Sequence, residues 1–358
     1  MKKVILTTGG TGGHIYPALA VAEELKKKNI EAVFIGTSHR MERDLIPNSG
    51  YKFIGLDVVP VSIKKINSLI KMVKAIKEAM KILKEEKPNA VIGFGNYISI
   101  PTLVSALILK IPIYLQEQNV TLGLANKIFY RFCKKLFLAF DHTYNELPLK
   151  YQDKLLVTGN PLRKEFYTLD FYEEREKIKI EETEKILLIM GGSLGARSIN
   201  EALIKEWNSF LNEKNIRIYW ATGEKNYDEV MSKLKKYKLT DQIKPYFENM
   251  ANVMCVADLV LCRSGALTIS ELIELGKPSI MIPYQVREVG QFENTKILSE
   301  NKASYIYKDS EAENAVRMAL ELIKNDYELN EMRAALKRLK KGNSAEKIVD
   351  SLEIWGNK

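Results

Sequence analysis

Val4-Ile5-Leu6-Thr7-Thr8-Gly9-Gly10-Thr11-Gly12-Gly13-His14 decides the fold. A short apolar run reads as a buried strand, and a glycine-rich turn follows. The spacing of Ala18, Val21, Ala22 and Leu25 then predicts a helix. The pattern returns 182 residues later. Ile186-Leu187-Leu188-Ile189-Met190 reads as a strand, Gly191-Gly192-Ser193-Leu194-Gly195 as a loop, and Ala196 onward as a helix. After each opening, apolar runs alternate with helical stretches. They are Ala32–Ile35, Ala90–Ile92, Ile113–Leu115, Leu136–Phe140 and Leu155–Thr158 in the first half, and Ile216–Trp220, Leu259–Cys262 and Ser279–Ile282 in the second. Such alternation implies parallel sheets covered by helices. The expected architecture is α/β, with two Rossmann-like domains facing a central cleft. The boundary falls at Gly159-Asn160-Pro161, giving domains of 1–160 and 161–341. Two helices, Glu328–Lys341 and Ser344–Leu352, end the chain, and the last is expected to cross back onto the first domain as residues 342–358.

The 358 residues suit two domains. The net charge of +9 is uneven: residues 1–160 carry +10 and the remainder −1. A partner attracted by positive charge therefore meets the first half. Cys133, Cys255 and Cys262 lack metal-type spacing and read as buried reduced thiols. The apolar N-terminal run stops at Thr7-Thr8, too soon for a signal core, and no apolar run is long enough to span a bilayer. The expectation is a cytoplasmic protein that meets membranes from the side.

A glycine turn between strand and helix exposes backbone N–H groups to a phosphate, and the helix dipole assists. The same glycines also fit a tight turn with no ligand. Two equivalent loops favour phosphate. No carboxylate ends the second strand, Val33-Phe34-Ile35-Gly36-Thr37-Ser38, as an NAD site needs, and no Gly-Lys-Ser/Thr loop is present. His14 at the mouth of the first sheet fits a general base or a loop-bonding histidine equally well. In Cys262-Arg263-Ser264-Gly265-Ala266-Leu267-Thr268-Ile269-Ser270-Glu271, a turn opens a helix, and Glu271 fits a ribose-binding carboxylate or a solvated one. Gln285, Gln291 and Asn294 offer amides suited to sugar hydroxyls, or plain loop polarity.

Gly9–His14, Glu117-Gln118-Asn119, Gly159-Asn160-Pro161-Leu162-Arg163, Gly191–Arg197 and Cys262–Glu271 occur in one order. Together they resemble, nearly end to end, the peptidoglycan N-acetylglucosaminyltransferases (the MurG family), which convert lipid I to lipid II. The resemblance implies a glycosyltransferase B-type fold and an inverting β-1,4 transfer from UDP-N-acetylglucosamine, with no cofactor and no metal. It implies that His14 is the base on the acceptor's 4-hydroxyl. Donor contacts would come from Thr11, Gly12, Gly13, Asn119, Arg163, Ser193, Phe247, Gln291 and the run Ala266, Leu267, Thr268, Ile269, Ser270 and Glu271. Phe247 would meet the uracil through its backbone and Glu271 the ribose. The acceptor would be an undecaprenyl-diphosphate-linked sugar, lipid I, approached by Asn96 and Tyr97. Three positions depart from the pattern: Gln116 stands where many relatives have histidine, Asn96 where glycine is expected, and Gly290 where a polar residue is common. Asparagine tolerates left-handed backbone angles better than most residues, so the loop is expected to survive the change.

Ile66, Leu69, Ile70, Val73, Ile76, Met80 and Leu83 mark one face of a helix, and Lys71, Lys74, Lys77, Lys81 and Lys84 another. That pattern fits a core-facing helix with solvated lysines. With the loop Val61–Lys65 it also fits an anionic membrane contact through Lys64, Lys65, Lys71 and Lys74, at the cytoplasmic face. No nucleic-acid motif accompanies the charge. Alternative readings are another lipid acceptor, a UDP-sugar epimerase on the same fold, or a non-catalytic basic binding protein.

Overall fold

A computed structural model describes residues 1–60, 66–192, 195–237, 242–285 and 290–354. The expected contacts Ser193, Lys64 and Lys65 lie outside the described residues. The chain forms two compact units, Met1–Arg163 joined by the chain from Lys341 onward, and Lys164–Lys340.

In the first unit seven strands run β1 (Lys3–Thr7), β2 (Glu31–Thr37), β3 (Lys52–Leu56), β4 (Ala90–Gly93), β5 (Ile113–Glu117), β6 (Lys135–Leu138) and β7 (Leu155–Val157). They pair in parallel in the order β3-β2-β1-β4-β5-β6-β7. The strands are nearly pure apolar runs because both faces are covered. Val4, Leu6, Phe34, Ile92, Tyr114 and Phe137 point to one core. Ile5, Val33, Ile35, Val91, Leu115 and Leu138 point to the other, the period-two alternation of a pleated strand.

The final helix, Ser344–Asp350, packs on the helix Gly12–Lys27. Ala345, Ile348, Val349 and Leu352 join the core of Val4, Leu6, Ile15, Val21 and Leu25. Each fully buried aliphatic side chain contributes about 1.5–3 kcal/mol, so the tail is part of the first unit's stability. The Glu353 N–H donates to the Tyr114 hydroxyl at 2.9 Å, fastening the end of the chain under β5.

The second unit repeats the plan with β8 (Lys185–Met190), β9 (Ile216–Ala221), β10 (Ile243–Lys244), β11 (Leu259–Cys262), β12 (Ser279–Met281) and β13 (Ser304–Ile306). The parallel order is β10-β9-β8-β11-β12-β13. Relative to its own first strand, each sheet reverses direction at the same place: between β1 and β4, and between β8 and β11. Open parallel sheets bind ligands at the carboxyl ends of the strands beside such a reversal. The three cysteines are buried and unbonded to one another. Burial pushes the Cys133 and Cys262 thiols up to about 12, which makes them inert packing groups.

Candidate active site

The first-unit residues converge at the carboxyl ends of β1, β4, β5 and β7. The turn after β1 holds Gly10 at φ 96, and a Cβ there would lie 2.6 Å from Asn96 Nδ2. Only glycine fits. Asn96 Nδ2 donates to the Gly9 carbonyl at 3.2 Å. From below, the fully buried Glu42 accepts the Gly10 N–H at 3.0 Å and the Thr37 N–H at 3.2 Å. The Gly10 amide is thus committed to an acidic side chain of the protein. This separates the first glycine turn from the simple phosphate cradle that its sequence suggests.

His14 is the third residue of the helix Gly12–Lys27, and Thr11, Gly12 and Gly13 lead into it. Its Nδ1 lies 3.0 Å from Gln118 Oε1. An amide oxygen only accepts, so Nδ1 carries the proton and the neutral ring keeps its lone pair on Nε2. Burial pushes the His14 pKa below its ordinary value, and the bond to Gln118 offsets part of that. A neutral imidazole with an available lone pair is the resting form of a general base.

Asn96 has the positive φ that glycine would otherwise supply. Its angles, φ 65 and ψ 154, fall in the mirror-extended region used essentially by glycine alone, at a cost of order 1–3 kcal/mol. Its bond to Gly9 offsets part of that strain. Tyr97 follows it, with the Arg40 guanidinium 6.0 Å from the ring centroid.

Asn119 is held by a residue given no role in the sequence. Glu117, only 2% exposed, accepts the Asn119 N–H at 3.0 Å and Asn119 Nδ2 at 3.3 Å on one oxygen. On the other it accepts the Gly123 N–H at 2.8 Å and Asn126 Nδ2 at 2.9 Å. Burial raises the Glu117 pKa and these four donors pull against it. Arg163 lays its guanidinium 5.1 Å from the Tyr16 ring centroid. Sequence reasoning missed Glu42, and it gave Glu117, Gln118 and Asn160 no role although they stand in the segments that carry the resemblance. The available signal was three polar residues, Gln116-Glu117-Gln118, closing an otherwise apolar strand.

In the second unit the loop after β8 holds Gly195 at φ 74, where a Cβ would stand 2.3 Å from the Thr222 carbonyl. The helix Ala266–Leu275 opens at the end of β11 behind Gly265. Its first ladder bond runs from the Ile269 N–H to Gly265 O at 3.0 Å. The amides of Ala266, Leu267 and Thr268 therefore lie in the first turn, before that ladder begins. Glu271, three residues after Thr268, stands on the same helix face. The next two residues of the run, Ile269 and Ser270, pack into the fold through their side chains. Ile269 is fully buried in addition to its bonded N–H, and the Ser270 hydroxyl donates to Ala266 O at 3.1 Å. They belong to the apolar and helix-closing face.

Gln291 opens the helix Gln291–Ser299. Its Oε1 accepts the Tyr284 N–H at 2.9 Å and its carbonyl accepts the Ser264 hydroxyl at 2.8 Å. Asn294 is fully buried and donates to Ser264 O at 3.4 Å, so it braces the turn instead of offering an amide to a sugar. Arg263 is likewise spent on structure. It reaches Ile282 O at 3.0 Å, Asp309 Oδ1 at 2.5 Å and the Ser198 hydroxyl at 3.0 Å, tying the end of β12 to the turn at Asp309 and to the start of the helix Arg197–Leu211. Phe247 is 7% exposed and packs 5.9 Å from the Tyr219 ring. Among the described residues, no cluster of three or more His, Cys, Asp or Glu side chains is arranged to hold a metal ion.

Comparison with known proteins adds a second line. The glycosyltransferase family 28 N-terminal domain matches residues 4–138, and the C-terminal domain of the same family matches residues 186–351. The UDP-N-acetylglucosamine–N-acetylmuramyl-(pentapeptide) pyrophosphoryl-undecaprenol N-acetylglucosamine transferase of Fusobacterium nucleatum is 55% identical over 358 residues, 100% of this chain and 99% of that one. The protein of the same name from Halothermothrix orenii is 35% identical over 98% of both. The crystal structure of MurG from Acinetobacter baumannii superposes with a TM-score of 0.77 at 29% identity, covering 98% of each chain.

Proposed function

The chain belongs to glycosyltransferase family 28, and from that premise we propose that it transfers N-acetylglucosamine from UDP-N-acetylglucosamine to the 4-hydroxyl of the N-acetylmuramyl unit of lipid I, with inversion, giving lipid II for peptidoglycan synthesis. The observation that carries this reading is the 55% identity, end to end, with a transferase named for that reaction. Neither an epimerase nor a transferase with another lipid acceptor is favoured by that match.

The chemistry follows from the two switch points. On the first unit, His14 Nε2 takes the proton of the acceptor hydroxyl as it attacks the anomeric carbon. No enzyme nucleophile is needed, because one displacement inverts the centre. On the second unit the leaving diphosphate gathers charge. The first-turn amides of Ala266, Leu267 and Thr268, together with Ser193, are assigned to stabilise it. Glu271 takes the ribose hydroxyls and the Phe247 backbone the uracil. Arg163, Gln291, Asn119 and Thr11-Gly12-Gly13 complete the donor contacts. Asn96 and Tyr97 face the acceptor. In this reading Ile269 and Ser270 support the donor turn from within the fold.

Membrane contact is assigned to the start of the helix Ile66–Glu86. Its apolar residues divide between two environments. Ala75, Ala79, Ile82 and Leu83 are buried, whereas Leu69, Ile70 and Val73 are 44%, 48% and 52% exposed. Lys74 and Lys77 are exposed beside them, and Lys71 lies 3.0 Å from Asp57. An apolar patch rimmed by lysines suits an anionic lipid surface, each lysine adding roughly 1 kcal/mol near it. Among the described residues no helix is long and apolar enough to cross a membrane. We assign a peripheral position on the cytoplasmic face, with Lys64 and Lys65 extending the patch.

The test is incubation with UDP-N-acetylglucosamine, with and without a lipid I analogue, followed by product identification. A β-1,4 disaccharide lipid formed with UDP release is the expected result. Free N-acetylglucosamine or an epimer formed without lipid overturns it. Loss of binding to anionic vesicles on charge reversal of Lys71 and Lys74 checks the membrane assignment, and unchanged binding refutes it.

A further inference from the structure

Behind His14 lies a group of uncharged amides, Gln116, Gln118 and Asn160, each no more than 2% exposed. Each amide nitrogen faces a backbone carbonyl. Gln118 Nε2 donates to Phe94 O at 3.0 Å, Gln116 Nε2 to Glu117 O at 3.2 Å, and Asn160 Nδ2 to Gln118 O at 3.1 Å. Carbonyl oxygens only accept, so every amide has one permitted orientation. The amides also bond to one another. Gln118 Nε2 donates to Gln116 Oε1, and Gln116 Nε2 donates to Asn160 Oδ1 at 3.0 Å. The set closes into a ring through the Gln118 carbonyl. One acceptor is left pointing outward, Gln118 Oε1, and it meets His14 Nδ1 at 3.0 Å.

We propose that Gln116, Gln118 and Asn160 are positioning residues that hold His14 in the single neutral tautomer whose Nε2 lone pair can take the acceptor proton. The inference rests on the reading of His14 as the base. A reversed Gln118 amide would present a donor to Nδ1, move the ring proton to Nε2 and remove the base without displacing the ring. Gln116 opposes that reversal, because its Oε1 requires a donor from Gln118. A neutral imidazole at position 116 also carries one donor and one acceptor, so histidine there preserves the same polarity.

Long-range 1H–15N spectra of histidine-labelled protein at pH 8 report the tautomer directly. The chain has only three histidines, so His14→Ala assigns the signal. The expected spectrum has His14 protonated on Nδ1 in the wild type. Gln118→Leu and Gln116→Leu are expected to mix or reverse the tautomer and lower kcat about 10- to 100-fold, within what a general base contributes. The KM for UDP-N-acetylglucosamine should change less than kcat does, because the uracil, ribose and diphosphate contacts are assigned to the second unit and the amides themselves are given no donor contact. Gln116→His keeps one donor and one acceptor at that position and is expected to retain the wild-type tautomer, which separates positioning from loss of fold. A wild-type His14 protonated on Nε2, or an unchanged tautomer in Gln118→Leu, overturns the proposal. A tautomer lost in the leucine variants with kcat unchanged supports the relay and overturns the base role instead.

Discussion

Replacing Glu117 with glutamine probes the loop that carries Asn119. The two side chains have the same shape, but one carboxyl oxygen becomes an NH2 group. Glu117 accepts four N–H donors at 2.8 to 3.3 Å, two on each oxygen. Glutamine satisfies two of them and turns a donor toward the other two. Leaving a buried donor unmade costs about 1–3 kcal/mol, so two cost about 2–6 kcal/mol. Against this, the substitution removes a buried charge. Burial raises the Glu117 pKa, so its ionised form is disfavoured in the fold. That relief amounts to about 1.4 kcal/mol per pKa unit. Water reaching the partly buried Asn119 and Gly123 amides reduces the loss further. The net expectation for Glu117→Gln is a destabilisation of about 2–3 kcal/mol, read by urea unfolding, with weaker donor binding through Asn119. A change below about 0.5 kcal/mol refutes the reasoning. It would mean that the native carboxyl is already protonated and that one oxygen already acts as a donor.

Other consequences follow from the same geometry. Asn96→Ala keeps the strained angles and loses the bond to Gly9 O, so it should cost about 1 kcal/mol, whereas Asn96→Gly relieves the strain and should be near neutral in thermal melts. Ile348→Ala removes a fully buried side chain of the tail helix and should destabilise the first unit by about 2–5 kcal/mol, measured by urea unfolding. In the second unit, Lys277 is buried with its Nζ 2.5 Å from Cys255 O, and burial lowers its pKa from 10.5 to about 8. Between those values the unfolded chain holds the proton that the folded chain has released, so stability should rise with pH from 8 toward 10.5, by at most about 1.4 kcal/mol per pH unit. Melts followed by tryptophan fluorescence in a Trp355→Phe background should show that slope, and Lys277→Met should abolish it.

The legible parts of the fold were those in which local and global demands coincide. The strands at the centre of each sheet are buried on both faces, so their apolar runs stand out from the helices around them. β3, β10 and β13 were not read from the sequence. They are partly exposed edge strands, and their short, mixed composition resembles a loop. Glu42 sits among Met41, Arg43 and Asp44 and reads as one more surface charge; only the turn above β1 makes it a buried acceptor. The burial of the Ile269 side chain was legible in the sequence, since Ile269, Leu272 and Ile273 form an apolar helical stripe. The helix Ile66–Glu86 shows the opposite limit. One helical period serves both its buried and its exposed apolar residues, and spacing alone does not divide them.

The most direct test of the account measures acceptor-dependent UDP release by wild type and His14→Ala, alongside UDP affinity. Release is expected to require the lipid I analogue. His14→Ala is expected to lose about 10²- to 10⁴-fold in kcat with UDP affinity intact. UDP release that ignores the acceptor, or a His14→Ala enzyme turning over at close to the wild-type rate, would contradict the account.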